Sequence, residues 1–232
     1  MGYMKRFWPL YLLTAVAFLC VALWTDQAVT TIAENTPVPR RAILVIDPGH
    51  GGMDGGATSC TGVLESQINL QIGLKLNDLS HLLGYETRMI RTGDVSVYTQ
   101  GNTIASQKAS DLRNRVRIVN ETENGILISI HQNTFSDSKY RGAQVFYAAT
   151  QGSRELADTM QALFLSTLNP GSNRQEKAAS NIYLLQHIRR TGILVECGFL
   201  SNAEEEAKLR SDAYQNQICC VILYAISDYL PT

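Results

Sequence analysis

Short apolar runs alternate with segments of helical periodicity from residue 41 onward, and this alternation most constrains the fold. The apolar runs are rich in Ile, Val and Leu, whereas the helical segments repeat apolar residues three or four positions apart. Strands and helices that alternate in this way are typical of an α/β domain. We therefore predict a single α/β domain over residues 41–232, with a mixed, mostly parallel sheet flanked by helices.

The pattern predicts six strands and five helices in this domain. Strands are predicted at 42–46, 86–90, 126–130, 144–148, 182–185 and 193–195. Helices are predicted at 65–83, 111–121, 154–168, 203–210 and 213–229. Two start signals support the helices: Ser110 can cap the second one, and Ser201 with Glu204 is typical of a capping box before the fourth.

An apolar run of 18 residues, 7–24, follows two basic residues near the N-terminus. Its length lies between the core of a signal peptide and a short membrane span. We predict an apolar helix over residues 1–28 that is a signal anchor or a signal peptide, and a proline-containing linker over 29–40. No clean small-residue cleavage site follows, which favours an uncleaved anchor. The basic flank predicts that the domain is exported and is either attached to a membrane or secreted.

The charge balance gives no indication of a nucleic-acid partner. The chain has 20 basic and 21 acidic residues, so it lacks the basic surplus typical of proteins that bind DNA or RNA. Its five cysteines show no CxxC or zinc-finger spacing, and we expect most of them to be free.

Three predicted strands run into polar residues at their carboxyl ends. His50 follows the first strand in a glycine-rich loop, His131 directly follows the third, and Glu196 directly follows the last. In open α/β sheets, ligands bind just beyond the carboxyl ends of the strands. If these strands are parallel neighbours, the three side chains converge at one edge of the sheet.

Glu65 lies on the apolar stripe of the first predicted helix, which Ile68 and Ile72 help to define. A carboxylate on that stripe faces inward, where an unpaired charge costs several kcal/mol or is neutralised by a shifted pKa. The residue therefore needs a cation. Either a metal ion or a buried arginine, Arg91 or Arg115, can supply the charge.

Two histidines and an inward carboxylate are the usual protein ligands of a catalytic zinc ion, which keeps a fourth position open. We predict that His50, Glu65 and His131 bind one Zn²⁺ per chain. Bound zinc makes water more acidic and polarises a carbonyl, as amide hydrolysis requires. Glu196 is then the predicted catalytic residue, a general base that passes the proton of water to the departing amine.

Plainer interpretations stay open at this point. A single histidine at the end of a strand is more often structural, and the loop from Asp47 to Gly52 could cradle a phosphate, although it lacks the usual glycine motifs. A metal-bound histidine also needs an acceptor for its second ring nitrogen, which Asp47 or Asp54 can provide. The residues alone predict a metal hydrolase and leave open which bond it cuts.

Six segments of the chain together form a specific pattern: ILVIDPGHGGMDGGA, GVLESQINL, RTGD, DLRNRVRIVN, ISIHQN and ILVECGFLSN. In order and spacing they resemble the zinc-dependent N-acetylmuramoyl-L-alanine amidases of the type 3 family, over residues 42–230. The resemblance implies a mixed α/β fold, a zinc ion at His50, Glu65 and His131, and a catalytic Glu196. Arg115 matches a family arginine whose role, structural or substrate-facing, is left open.

Within the family, the chain is similar to the germination-specific amidases of the spore cortex. The similarity lies in the single small domain behind an apolar N-terminus, in Gln132 after the second histidine and in Cys197 after the catalytic glutamate. It implies cleavage of peptidoglycan between N-acetylmuramic acid and L-alanine, as a step towards muramic-δ-lactam in the cortex. It also implies a location between the two spore membranes and, as for some members, a lipoprotein activator.

Two other functions stay open. A zinc peptidase that cuts the wall peptide usually carries HExxH or HxxE ligand pairs, and neither occurs at the predicted site. A non-catalytic wall-binding protein typically lacks one ligand or the catalytic glutamate, whereas this chain has all four residues.

Overall fold

Residues 42–230 are those that the computed structural model describes, and they contain six strands and six helices. The strands are β1 Ile43–Pro48, β2 Glu86–Met89, β3 Gly125–Asn133, β4 Gln144–Tyr147, β5 Lys177–Ala178 and β6 Thr191–Phe199. The helices are α1 Glu65–Leu82, α2 Ile104–Glu121, α3 Ser153–Thr167, α4 Tyr183–His187, α5 Ala203–Leu209 and α6 Asp212–Tyr229. The predicted leader and linker, residues 1–40, lie outside this range. None of the helices within it combines the length and the hydropathy that a membrane span requires.

The six strands form one mixed sheet in the order β2-β1-β3-β6-β4-β5. Strands β2, β1, β3 and β6 are parallel to one another, β4 runs antiparallel to β6, and β5 is parallel to β4. The predicted mixed, mostly parallel sheet is confirmed. The carboxyl ends of β1, β3 and β6 consequently meet at one edge, which we call the carboxyl edge.

Helices cover both faces of the sheet, which explains why β1 and β3 contain runs of consecutive buried apolar residues, Leu44–Ile46 and Ile126–Ile128. Leu44 and Ile46 belong to the core cluster that contains the apolar stripe of α1, including Ile72. Val45 and Leu127 point to the other face and pack in a second cluster with residues of α2 and α4. Complete burial of each such side chain contributes roughly 1.5–3 kcal/mol. Four cysteines in the described part of the chain are free: Cys60, Cys197, Cys219 and Cys220.

The strand predicted at 182–185 is wrong, because this segment forms the short helix α4. Leu184 and Leu185 are buried in the second core cluster, and a short apolar run fits one helical turn as well as it fits a strand. The sixth strand is instead β5, whose two residues are both exposed. Since β5 buries no side chain, hydrophobic periodicity gives no signal for it.

Both predicted helix caps are wrong. Helix α2 begins earlier than predicted, with a capping box between Thr103 and Ser106, and Ser110 lies inside the helix. The first turns of α2 are largely exposed, so they carry no apolar stripe that sequence periodicity could detect. Helix α5 is capped by the side chain of Asn202, whereas the hydroxyl of Ser201 accepts a hydrogen bond from a loop amide.

Candidate metal centre

The loop after β1 presents His50 in a strained conformation. Its φ is 61°, in the left-handed region that side chains other than glycine rarely adopt. The His50 carbonyl accepts a hydrogen bond of 2.8 Å from Arg115 Nη2, which holds the loop in place. Its ring Nδ1 lies 3.0 Å from Asp54 Oδ2, so Asp54 rather than Asp47 is the partner of this ring. The other ring nitrogen, Nε2, is left to face Glu65.

Glu65 is the first residue of α1, and only 4% of it is exposed. Its Oε2 lies 3.3 Å from Nε2 of His50, and its Oε1 lies 3.0 Å from Nδ1 of His131. Neither Arg91 nor Arg115 forms an ion pair with it among the described residues. Glu65 is therefore not one half of a buried ion pair with either arginine.

The side chains of His50, Glu65 and His131 offer ligand atoms that all lie within 4.8 Å of one another. Bonds of about 2.0–2.1 Å to a tetrahedral zinc ion place its ligand atoms roughly 3.3 Å apart. The measured nitrogen–oxygen separations of 3.3 and 3.0 Å fit this spacing. Imidazole nitrogens with one carboxylate are also a donor set that suits zinc. The three residues therefore fit a divalent ion of this kind.

The protonation of these groups shows how strongly Glu65 attracts positive charge. Burial raises its pKa, but hydrogen bonds and charges from His131 and His50 outweigh burial and hold the pKa well below its usual range. For His50, burial lowers the pKa, whereas Glu65 and Asp54 raise it to about 9. A buried carboxylate that keeps its charge requires a nearby cation, and the centre is arranged to hold one.

Glu196 stands beside this cluster, next to His131 in the parallel register of β3 and β6. Its Oε2 is enclosed and has no hydrogen-bond partner among the described residues. Burial, reinforced by the charge of Glu65 and opposed by the two histidines, raises the pKa of Glu196 to about 7. Buried polar atoms without partners are rare, and a carboxyl with a pKa near neutrality suits proton transfer.

Sequence reasoning missed two residues that orient Glu65. The amide nitrogen of Asn69 donates to Glu65 Oε1 and to the Gly49 carbonyl, at 3.2 Å in both cases. Gln132 donates its backbone N–H to the same Glu65 oxygen at 3.1 Å and its side-chain amide to Asn69 at 3.1 Å. Asn69 lies four residues after Glu65 on the same helix face, so its spacing was a usable signal.

Arg115 has a structural role. Its side chain is only 3% exposed and lies inside the protein. It forms ion pairs with Asp47 and with Asp111, and it donates to the carbonyls of Pro48 and His50. The resemblance had left its role open. The buried guanidinium acts on the centre by fixing the backbone that carries His50.

We expect Arg115→Met to lower the free energy of unfolding by about 3–5 kcal/mol, because it leaves Asp47 as an uncompensated buried charge. Urea denaturation of the metal-free chain measures this loss. Arg117→Met removes an exposed arginine two residues away that pairs with Glu121, and it should change stability by less than about 1 kcal/mol. Equal effects of the two substitutions would contradict the assigned role of Arg115.

Gly49 leaves the space that the His131 ring occupies. A Cβ atom at this position would lie 2.1 Å from Nε2 of His131. We therefore expect Gly49→Ala to displace the ring, to lower stability by about 1–3 kcal/mol and to weaken metal binding. Gly93→Ala is the matched control, since nothing lies within 4 Å of the added atom. Metal titration followed by calorimetry compares the two, and wild-type affinity in Gly49→Ala would refute the expectation.

Comparison with known proteins gives one family. The family profile Amidase_3, described as N-acetylmuramoyl-L-alanine amidase, matches residues 44–228. Among curated relatives, the germination-specific N-acetylmuramoyl-L-alanine amidase of Bacillus subtilis (strain 168) is 34% identical over 189 residues. The aligned region covers 81% of this chain and 79% of that relative.

Solved structures give the same result. The CwlD amidase from Clostridioides difficile, solved in complex with the GerS lipoprotein, superposes with a TM-score of 0.78 at 36% identity. That match covers 82% of this chain and 98% of the other. The amidase AmiC2 of Nostoc punctiforme has a TM-score of 0.70 at 28% identity, over 81% of this chain and 96% of its own.

Proposed function

The chain belongs to the Amidase_3 family of N-acetylmuramoyl-L-alanine amidases, and from this membership we propose a zinc-dependent hydrolysis of peptidoglycan. The bond that is cut joins the lactyl group of N-acetylmuramic acid to the amine of L-alanine. One observation supports the mechanism above all: His50, Glu65 and His131 converge at the carboxyl edge, and Glu196 lies next to them.

We assign Zn²⁺ to the three convergent residues, one ion per chain. His50 and His131 would bind it through the ring nitrogens that face Glu65, and Glu65 would supply the third ligand. Zinc in such a site contributes Lewis-acid chemistry, since it polarises an amide carbonyl and makes water acidic enough to attack near neutral pH. The hydrogen bond from His50 to Asp54 fixes the orientation of the ring and makes its other nitrogen a stronger ligand for the metal.

Glu196 carries the proton transfers in this mechanism. Its carboxylate takes a proton from the attacking water, and the resulting carboxylic acid protonates the nitrogen of the departing alanine. A carboxyl whose pKa is raised to about 7 can both accept and return a proton under these conditions. Because Oε2 has no partner among the described residues, no existing hydrogen bond must break before the transfer.

We further propose that the enzyme acts in the spore cortex, on the path to muramic-δ-lactam. The germination-specific relative and the CwlD amidase support this assignment, and the GerS complex of the latter supports a lipoprotein partner. Export, with attachment to a membrane or secretion, is proposed from the apolar segment at residues 7–24. In a spore former, the domain would then lie between the two spore membranes.

Mass spectrometry of muropeptides tests the reaction. Purified cortex peptidoglycan is incubated with the zinc-loaded full chain, with the chelator-treated chain, and with the chain after zinc is restored. We expect free lactyl-muramic acid and peptides with a new L-alanine amine only where zinc is present. Products that retain alanine on the sugar would instead indicate a peptidase. No product in any of these incubations, or in a fourth one with a lipoprotein partner added, would indicate a wall-binding protein.

A further inference from the structure

A cavity of about 870 Å³ lies beside the candidate active site, and the proposed chemistry does not use it. The segments 139–142 and 168–175, the start of α5 and Gln144 on β4 line most of it. None of the three convergent residues and no atom of Glu196 lines it. The proposed chemistry therefore does not account for the cavity, and its position relative to Glu196 indicates what it binds.

His131, Glu196 and Gln144 form a row across three adjacent strands. His131 is paired with Glu196 between β3 and β6, and Glu196 is paired with Gln144 between β6 and β4. Directly paired residues point to the same face of a sheet, and neighbouring strands lie about 4.8 Å apart. An extended chain advances at most about 3.6 Å per residue. One or two residues beyond a bond held at Glu196 therefore reach the wall of the cavity.

The cavity carries a surplus of positive charge. Five cationic side chains line it, against the two carboxylates of Glu204 and Glu205. Glu205 already accepts hydrogen bonds from the backbone N–H groups of Phe199 and Gly142, both at 2.8 Å. Of the five cations, only Lys139 forms an ion pair among the described residues. The other four are Arg141, Arg174, Lys177 and Lys208.

Arg174 is held in a fixed orientation next to this row. Its Nε donates to the Arg141 carbonyl at 2.9 Å, and its Nη1 donates to Oε1 of Gln144 at 3.2 Å. The guanidinium carbon lies 4.7 Å from the centre of the Phe199 ring. Within residues 42–230, Nη2 has no acceptor. A planar guanidinium that is positioned in advance and retains free N–H groups is suited to bind a carboxylate.

We propose that this cavity binds the peptide arm of the substrate and that Arg174 recognises a free carboxylate on the residue that follows the released alanine. The inference rests on the proposed amidase reaction, since that reaction places the alanine nitrogen at Glu196. It assigns to the cavity an acidic peptide, whose charge complements the lining and whose reach fits the spacing of the strands. Arg174 is then a specificity-determining residue.

Two substrates test this inference: glycan-linked peptides that differ only in whether the second residue bears a free carboxylate or its carboxamide. The zinc-loaded wild-type chain should cleave the carboxylate form with a kcat/KM about tenfold higher or more. Arg174→Gln should lower kcat/KM for the carboxylate form by about 10- to 100-fold and for the carboxamide by less than about threefold. Arg174→Lys, which keeps the charge but loses the planar fork, should give an intermediate loss.

Arg117→Gln is the control, because it removes a guanidinium from the exposed side of α2. It should leave both rates unchanged. Equal losses of both substrates in Arg174→Gln, or no loss of either, would overturn the assignment of Arg174 while the amidase reaction stands. Failure of the wild-type chain to cleave either substrate would instead refute the proposed function, so the two failures are distinguishable.

Discussion

Glu196→Gln should abolish most hydrolysis, with a fall in kcat of about 10²–10⁴-fold, because the amide can neither accept the proton of water nor return it to the leaving nitrogen. The substitution keeps the size of the side chain. Zinc content should stay at one ion per chain, since Glu196 is not one of the three proposed ligands, His50, Glu65 and His131. Muropeptide release under saturating substrate, together with metal analysis of the same sample, measures both quantities.

The stability of the same variant separates a catalytic role from a structural one. Glu196 Oε2 makes no hydrogen bond within residues 42–230, so its replacement breaks no hydrogen bond of that oxygen. A neutral amide also avoids the cost of burying a charge. We therefore expect the free energy of unfolding of Glu196→Gln to equal or exceed that of the wild type. A marked loss of stability would show that the residue holds the fold together.

Glu155→Gln provides the matched control. Glu155 is an exposed carboxylate in the first turn of α3, and its replacement removes the same charge. Hydrolysis should be unchanged in this variant. Residual activity of Glu196→Gln close to that of Glu155→Gln would refute the assignment of Glu196 as general base.

The sequence was sufficient to predict the parallel strands of the sheet and the convergence of His50, Glu65, His131 and Glu196, for a physical reason. Parallel strands buried on both faces are continuous apolar runs, and their carboxyl ends must meet at one edge. A polar residue just beyond such a run, as at His131 and Glu196, is conspicuous. The inward orientation of Glu65 likewise follows from its spacing along the helix. These features depend on local pattern, which a sequence displays directly.

The features that sequence reasoning missed depend on contacts between distant segments. The bond between Asn69 and Gln132 joins residues 63 positions apart, and the Arg115–Asp47 ion pair joins residues 68 positions apart. The contact between Arg174 and Gln144 likewise joins residues 30 positions apart. No periodicity reports such contacts. The helix α4 was missed for a different reason, since a short apolar run is ambiguous between strand and helix.

Metal binding should fail most completely in Glu65→Gln. The carboxylate lies within 3.3 Å of both histidine nitrogens, and it is the only negative charge among the three proposed ligands. Its loss should weaken zinc affinity by more than the roughly 10–100-fold that removal of an outer partner costs. Hydrolysis should fall to the level of the chelator-treated wild type. Metal analysis after dialysis and muropeptide release from the same preparation measure the two losses.

Asp54→Asn supplies the graded control for this prediction. Asp54 is not one of the three proposed ligands and acts through its 3.0 Å contact with Nδ1 of His50, so zinc affinity should fall by roughly 10–100-fold and recover at higher zinc concentration. Activity of Glu65→Gln that zinc restores equally well would contradict the role of Glu65 as a ligand.

Thermal unfolding with and without zinc gives an independent readout of the Glu65→Gln variant. A ligand that binds only the native state stabilises it by about 2.7 kcal/mol at 100 times its Kd. The wild type should therefore unfold at a higher temperature when zinc is added, and Glu65→Gln should not. The metal-free variant should be less stable than the metal-free wild type near neutral pH, because a carboxylate whose pKa the two histidines hold below its usual range stabilises the fold and the neutral amide does not. A zinc-dependent rise of equal size in both proteins would exclude Glu65 from the metal centre, and the proposed zinc chemistry would lose its basis.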